Sequence, residues 1–391
     1  MQTDVYILGG ARTPMGEYNG KLKDLSAIDL GAIAAGAAME RTNVAPAAVD
    51  HVIFGNVLQT SADAVYGARH VGLKAGVPIE VPALTVNRLC GSGIQAAISG
   101  GQMIRLGEAD VVLTGGMESM SQAPHVIRGL RNGLRLGQGQ LEDTLWSALL
   151  DTHCGCTMAA TAENCAAKYG VSRQEQDEFG ARSQNLAEKA IANGFFDREI
   201  TPVTTPDGTV VSRDDGPRPG VTVEGMAGLK PVFRPDGTVT AGNACPLNDG
   251  AAAVVIMSDT KARELGLTPL ARIVSTGVSG LSPEIMGLGP IEASKQALAR
   301  AGMSIGDIDL AEINEAFAAQ VIPSYKELGI DIDRLNVNGG AIALGHPFGM
   351  TGARITGTLL NSLDWHDKSI GLETMCVGGG QGMAMILERL S

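Results

Sequence analysis

The chain has 391 residues, 44% of them hydrophobic and 18% charged, and 30 basic against 42 acidic side chains give it a formal net charge of −12. That length exceeds one ordinary hydrophobic core, and an acidic balance with no lysine- or arginine-rich block speaks against a nucleic-acid partner. No apolar run reaches a membrane span, the start lacks a secretory leader's basic stretch, and six cysteines in so long a chain do not make a disulfide framework, so the expected setting is the cytoplasm.

In chain order, residues 5–8 read as a strand and Ala11-Arg-Thr-Pro as the start of a loop. Residues 26–41 form a small-residue helix with Ser26 or Asp24 as its cap, and 50–55 form the next strand. A short buried strand at 83–87 turns at Cys90 into a helix over 92–106 that stops at Gly107; residues 110–114 follow as a strand. Alternating strands and helices predict a mostly parallel sheet covered on both faces. From Gly115-Gly-Met-Glu-Ser-Met the texture changes: 128–140 is rich in Gly and Arg, and 204–237 carries repeated Asp-Gly, Pro and Gly turn signals. Between them lie helices over 159–169 and 173–192, the second opened by the capping-box pattern Ser172-Arg-Gln-Glu175 and stopped at Asn193-Gly194. Residues 119–248 therefore read as an insertion. Its arginines (Arg128, Arg131, Arg135, Arg213, Arg218) suit phosphate contacts, subunit contacts or a solvated face.

After Asn248-Asp-Gly-Ala-Ala-Ala the strand–helix rhythm resumes and echoes the first part. Ala47-Ala-Val-Asp-His-Val-Ile-Phe-Gly-Asn parallels Gly306-Asp-Ile-Asp-Leu-Ala-Glu-Ile-Asn-Glu, and Thr85-Val-Asn parallels Asn336-Val-Asn-Gly-Gly. A duplicated βα domain is expected, each copy contributing a catalytic corner.

Four clusters carry candidate chemistry. Cys90 sits at a strand-to-helix corner with Gly91 and Gly93 behind it, where glycines permit left-handed or closely approached backbone. A thiol at a helix start faces unpaired N–H groups and the positive dipole end, which favours thiolate. From this stretch alone, a small buried core cysteine is an equal reading. His346, held extended by Pro347 and ringed by Gly340, Gly345, Gly349 and Gly352, is placed to take a proton from Cys90, or to cap the following helix. Asn314 turns a strand over 310–313 into a helix, as a carbonyl- or water-orienting group or as an N-cap. Cys376 ends an apolar strand before three glycines, whose N–H groups can line an oxyanion pocket or make a flexible turn.

Two cysteines and a histidine at glycine-rich corners suit one chemistry. A first thiolate accepts an acyl group from a thioester almost without cost, whereas serine would trap it as a more stable oxygen ester. Forming or breaking the carbon–carbon bond then needs a second base for the α-proton of a thioester, and donors for the enolate oxygen. Cys90 as acyl carrier, Cys376 as acid/base and His346 as activator divide that work. His153-Cys154-Gly-Cys156 lacks the second ligand pair of a metal site, and no dinucleotide fingerprint stands in strand–helix context.

In this order, Cys-Gly-Ser-Gly at 90–93, Asn-Glu-Ala-Phe-Ala at 314–318, Gly-His-Pro-x-Gly at 345–349 and Cys-x-Gly-Gly-Gly at 376–380 resemble the thiolase family over essentially the whole chain. The resemblance implies an α/β thiolase fold: two similar βαβαβαββ halves in a layered α-β-α-β-α core, each a five-stranded sheet between helices, with an inserted loop domain. It divides the chain into 1–118 plus 249–268, the insertion 119–248, and 269–391. It implies that Cys90 is acylated, that His346 assists it, and that Cys376 exchanges the α-proton. One oxyanion hole would come from His346 with a water held by Asn314, another from the N–H groups of Cys90 and Gly378. Coenzyme A, a substrate and not a prosthetic group, would contact Arg218, Met158, Gly225, Leu229, Ala241, Phe233, Met286 and Phe317. The implied reaction is reversible Claisen condensation or thiolysis between acetyl-CoA, acyl-CoA, 3-ketoacyl-CoA and CoA, carried out by a homo-oligomer, dimer or tetramer, without metal.

Short-chain biosynthetic members usually carry a histidine where this chain has Thr157 and a serine where it has Cys245. Residues 141–149 are similar to members that cleave longer 3-ketoacyl-CoAs, so a broad range is expected. Two rivals were weighed. A decarboxylating ketoacyl-synthase-like enzyme would show histidine in place of Asn314 and nothing equivalent to Cys376. A non-catalytic acyl-CoA-binding protein would leave Cys90 no more reactive than a model thiol.

Overall fold

The computed structural model describes residues 3–391. Its principal strands are β1 (Val5–Arg12), β2 (His51–Gly55), β3 (Ala83–Val86), β4 (Val111–Ser119), β5 (Asn248–Ser258), β6 (Ala271–Gly280), β7 (Leu310–Ile313), β8 (Ile370–Val377) and β9 (Gln381–Arg389). Side by side they run β7-β8-β9-β6-β1-β5-β4-β2-β3, with the short strand Gly16–Glu17 added against β5. Divided between β6 and β1, the two series are the same. Numbered by the first half's five strands, with the third position vacant in the second half, each runs first, fifth, fourth, second outward from the joint, and the first half adds its third strand at the end. In each half the second and fourth strands are parallel, while the fourth, fifth and first are antiparallel neighbours. The joint itself is short: Tyr6 opposite Arg272 and Ile7 opposite Ala271.

The echo between 85–87 and 336–338 has a topological basis, with one correction. Residues 336–338 are not a strand. Leu335 makes a single parallel bridge to Ala311, on the flank of β7 where the first half carries β3. Asn336 then supplies the next rung with its side chain, accepting from the Ile313 N–H at 2.8 Å and donating to the Ile313 carbonyl at 2.9 Å. Its φ of 45° turns the chain away, so the ladder stops after one residue. The second half therefore has four strands, not five.

Eight helices cover these strands: α1 (Ala27–Arg41), α2 (Gly67–Lys74), α3 (Ser92–Leu106), α4 (Met158–Tyr169), α5 (Arg173–Ala192), α6 (Gly289–Ala301), α7 (Ala318–Leu328) and α8 (Phe348–Trp365). α1 and α2 pack on the first half, α6 and α7 serve the second, and α3 and α8 pack on each other between the two, giving five layers. A helix in the middle layer has no solvent face, and α8 is accordingly buried almost all round from Phe348 to Leu363. Gly93 and Gly352 let α3 and α8 meet backbone to backbone; a methyl on Gly352 would run into Ile94, and one on Gly93 into Ala353. On its other side Gly349 lies against the Met117 and Gly55 carbonyls.

Local signals set most boundaries. Ser26 caps α1, with the Asp29 N–H donating to its hydroxyl at 3.1 Å, and Ser172 with Glu175 forms the capping box of α5. β1 and β4 outrun expectation: both continue through glycine pairs, Gly9-Gly10 and Gly115-Gly116, because β5 pairs along their whole length. The loop expected at Ala11 thus begins at Thr13. In the inserted segment, α4 packs on α7, and α5 packs on α7 and on the short helix Ala341–Leu344.

Candidate active site

Cys90 lies at the corner between β3 and α3. The turn is built by side chains: the Asn87 Oδ1 accepts from the Leu89 N–H (3.0 Å), and the Ser92 hydroxyl accepts from the Arg88 N–H (2.9 Å) while donating to the Leu89 carbonyl (2.7 Å). The left-handed residue expected at a glycine is instead Leu89, at φ 47°. Gly91 has φ −82°. It serves close approach, since a Cβ there would overlap the Met383 sulfur and the Val377 side chain. Those residues flank Cys376, so the corner is pressed onto the second half's hairpin.

The expectation of a thiolate favoured by the helix start is overturned. Burial pushes the Cys90 thiol up to about 11, the N–H groups of Gly378 and Cys90 itself pull it down, and Glu118 adds a smaller upward push. Desolvation outweighs the helix end because the thiol packs among Leu58, Met120, Leu145 and Phe348.

His346 is buried and does not cap α8, whose N-cap is Pro347. Its N–H donates to the Asn248 Oδ1 at 3.0 Å, and Asn248 reaches back to the Gly16 carbonyl at 3.0 Å. The ring Nδ1 lies 2.6 Å from the Thr351 hydroxyl, which itself donates to the Pro347 carbonyl at 2.8 Å. With its proton so used, the hydroxyl accepts from Nδ1–H. This network assigns the tautomer and makes Nε2 the acceptor nitrogen of the ring. Burial, then the Arg354 charge, lowers the imidazole to about 3, so it is neutral at pH 7. The Asn314 Nδ2 stands 3.4 Å from that Nε2, and the Asn314 Oδ1 is buried with no partner among the described residues. Asn314 is not an N-cap; Phe317 holds that position before α7.

Cys376 is fully buried near the end of β8, opposite Gly382. Its thiol is raised well above the ordinary range, first by burial and then by Cys90, Cys165 and Cys245. Gly379 and Gly380, both at φ 77°, make the hairpin turn that aims the Gly378 N–H at Cys90. Cys90, Cys376, Cys245 and the Gly378 N–H thus meet in one place, Asn314 meets His346 in another, and Phe348 packs against both Cys90 and the imidazole. Cys245 is carried on a segment whose N–H donates to the Ala316 carbonyl at 3.0 Å.

The residues expected against coenzyme A divide into three groups. Arg218, Gly225, Leu229 and Ala241 line one cavity of about 420 Å³ with Thr222 and Gln184. Met158, Met286 and Phe317 belong to the apolar cluster that also holds Cys376, with Met158 against Gly378. Phe233 is 45% exposed and lies in neither group. Arg128 pairs with Glu142 at 2.7 Å, and Arg218 lies 3.6 Å from Glu17. Cys154 and Cys156 occupy a partly exposed turn, and no described cluster of three or more His, Cys, Asp or Glu side chains is arranged around a metal position.

Four supporting residues went unread in the sequence. Asn248 and Thr351 fix His346. Glu118, buried, accepts from the Asn56 amide (3.0 Å) and from the N–H groups of Val57 (3.1 Å), Leu58 (3.0 Å) and Gly349 (2.9 Å). Glu315 accepts from Ser183 (2.6 Å), Asn336 (2.8 Å) and the Ile342 N–H (3.1 Å), tying α5 to the loop before His346. The one available signal was an acidic residue inside each of two otherwise apolar motifs, Gly-Met-Glu-Ser and Asn-Glu-Ala-Phe.

Comparison with known proteins agrees with this geometry. The family model "Thiolase, N-terminal domain" matches residues 5–260, and "Thiolase, C-terminal domain" matches residues 267–389. The chain is 49% identical to the human mitochondrial 3-ketoacyl-CoA thiolase over 388 residues, 98% of each protein. It is 48% identical to the acetyl-CoA acetyltransferase of Cupriavidus necator, over 99% of this chain and 100% of that one. The crystal structure of the human enzyme in complex with CoA superposes with a TM-score of 0.97 at 48% identity, covering 100% of this chain and 98% of that one. Two domain matches that together span nearly the whole chain, and a site assembled from both, make this chain a member of the thiolase family.

Proposed function

We propose that this acyltransferase cleaves 3-ketoacyl-CoA with CoA, and runs the reverse condensation, through an acyl thioester on Cys90. The neutral His346 Nε2 takes the Cys90 proton as the sulfur attacks the 3-keto carbon. Because the raised thiol and the lowered imidazole both oppose a pre-formed ion pair, transfer and attack are coupled. The bond between the second and third carbons breaks, and the Cys376 thiol gives its proton to the departing acetyl-CoA carbanion. Held well above its ordinary range, that thiol keeps its proton until the carbanion, a far stronger base, forms beside it. CoA then attacks the acyl group; Cys376 recovers a proton from the CoA thiol, and Cys90 leaves with the proton held on His346. The Gly378 N–H with that of Cys90, and His346 with a water on Asn314, serve the two oxyanions.

The observation that carries this reading is the proximity of the Cys90 and Cys376 thiols, with Phe348 bridging Cys90 to an imidazole whose acceptor nitrogen lies beside Asn314. Intact-mass analysis after mixing with acetyl-CoA tests it. One acetyl group is expected, localised to Cys90; an adduct elsewhere overturns the assignment.

We assign a broad acyl range. Leu145, Ala148 and Leu149, from the segment similar to long-chain members, share the apolar cluster against Cys90 with Leu58 and Phe348. Thiolysis rates across 3-ketoacyl-CoAs of increasing length test this, with a sharp fall beyond acetoacetyl-CoA as the contrary result. The CoA chain is placed from Arg218, Gly225, Leu229 and Ala241 past Met158, Met286 and Phe317, with Phe233 at the rim. The division at residues 118, 248 and 268, a cytoplasmic setting and a homotetramer complete the reading. Six free cysteines favour a reducing compartment, and the exposed Leu130, Leu134, Leu136 and Leu141 favour subunit contacts. No helix among the described residues is long and apolar enough to cross a membrane.

A further inference from the structure

A second cavity, of about 210 Å³, lies apart from the thiols and the CoA groove. It is lined by Arg12, Arg41, Arg198 and Arg354, with Glu199 and Asn361. It opens where small residues leave room: Gly9 and Gly10, at an irregularity in β1, and Gly357 on α8, where a Cβ would meet nothing within 4 Å. Arg354 is only 2% exposed, yet its Nε and Nη1 have no partner among the described residues. The Arg12 Nε, 3.3 Å from Glu199 but poorly aligned, is likewise without a hydrogen bond. Buried guanidinium N–H groups are costly to leave unmade.

Carboxylates already engage two of the four arginines. Asp214 grips Arg12 through both terminal nitrogens at 2.7 and 2.9 Å, and Asp364 holds Arg198 at 2.7 Å. Glu199 is the one carboxyl group on the wall. Glu312, Glu199 and Glu315 act on Arg354 only through space, and burial raises all three carboxyls. No carboxylate takes the Arg354 Nε or Nη1 as a hydrogen-bond partner among the described residues, and the Glu199 Oε1 is likewise buried without one. Arg41 and Arg198 stand at the mouth, Arg41 already donating to the Arg198 and Ile200 carbonyls.

We propose that this cavity binds a small inorganic oxyanion, of phosphate or sulfate size, on the Arg354 and Arg12 guanidiniums, with Arg41 and Arg198 at its entrance. Planar N–H forks match such an anion, and the volume accommodates one with a few waters. Because Arg354 lies on the helix that follows His346, occupancy braces the middle layer from the end away from the thiols.

The test uses inorganic phosphate at constant ionic strength, followed by thermal melting. The wild type should show a saturable rise in Tm, distinct from the linear rise that any excluded salt produces. Arg354→Met should abolish the saturable part, Arg41→Gln should weaken apparent affinity tenfold or more, and Arg218→Ala, at the CoA cavity, should leave it intact. Loss in Arg218→Ala, or an unchanged response in both Arg41→Gln and Arg354→Met, would overturn the proposal. If Arg354→Met does not fold, crystals grown in selenate decide: anomalous density between Arg12 and Arg354 supports the site, and its absence refutes it.

Discussion

The two halves place different chemistry at the same register position. In the first, Gly55 lies opposite Gly116; in the second, Ile313 lies opposite Thr374. One residue beyond Gly55 is Asn56, and one beyond Ile313 is Asn314. Two residues beyond the partners are Glu118, paired with Gly250, and Cys376, paired with Gly382. Glu118 uses its oxygens on Asn56, Val57, Leu58 and Gly349, so it locks three backbone N–H groups and its asparagine. Cys376 and Asn314 are left facing the pocket. A duplicated scaffold thus keeps one copy of the position as a brace and offers the other to substrate, and the braced copy holds the loops on which Cys90 and His346 depend.

The largest effects should come from the reactive copy. Replacing Cys90 with alanine is expected to lower turnover by about 10³-fold or more and to abolish the acetyl adduct. Cys376→Ser should keep the adduct yet lose exchange of the α-hydrogens of acetyl-CoA for deuterium; normal exchange would remove Cys376 from the mechanism. Next comes the brace. Glu118→Ala strands four buried donors and should cost about 3–5 kcal/mol in urea unfolding, whereas Glu118→Gln, keeping one acceptor oxygen, should cost less. Equal costs would mean that Glu118 matters by volume alone. Gly352→Ala forces apart the helix contact that sets the distance between the halves and should destabilise by about 1–3 kcal/mol, with turnover falling.

The last expected effect is read as a slope. Burial pushes Glu373 up to about 8 from its ordinary 4.5. The folded state then holds a proton that the unfolded chain has released, so this contribution is full below pH 4.5 and is lost as pH rises toward 8. Glu373→Gln should flatten the fall in stability between those values. An unchanged slope would show that Glu373 is ionised in the fold.

Much of this was legible in the sequence because it rests on neighbours along the chain. The Ser172–Glu175 box, the stop at Gly107 and the glycines around Cys376 each act within a few residues. The four motifs also named the residues that meet. What escaped depends on contacts between distant segments. Leu89 takes the left-handed turn because Gly91 must instead lie flat against Met383. The Cys90 thiol rises where a helix start should lower it, because Leu145 and Phe348, from elsewhere in the chain, pack against it and partly desolvate it. Asn336 looked like a strand residue, and only the proximity of Ile313 makes it a side-chain rung. Phe233 sits in a loop whose sequence gives no sign of where it points.

That side-chain rung closes one end of the sheet. Asn336 fills the positions a further strand would use beside β7, whereas β3 at the opposite end keeps an unpaired row of backbone groups. A sheet capped at one border offers strand pairing on one side only. The same fold that brings two thiols together thereby guards itself against endless end-to-end growth into filaments.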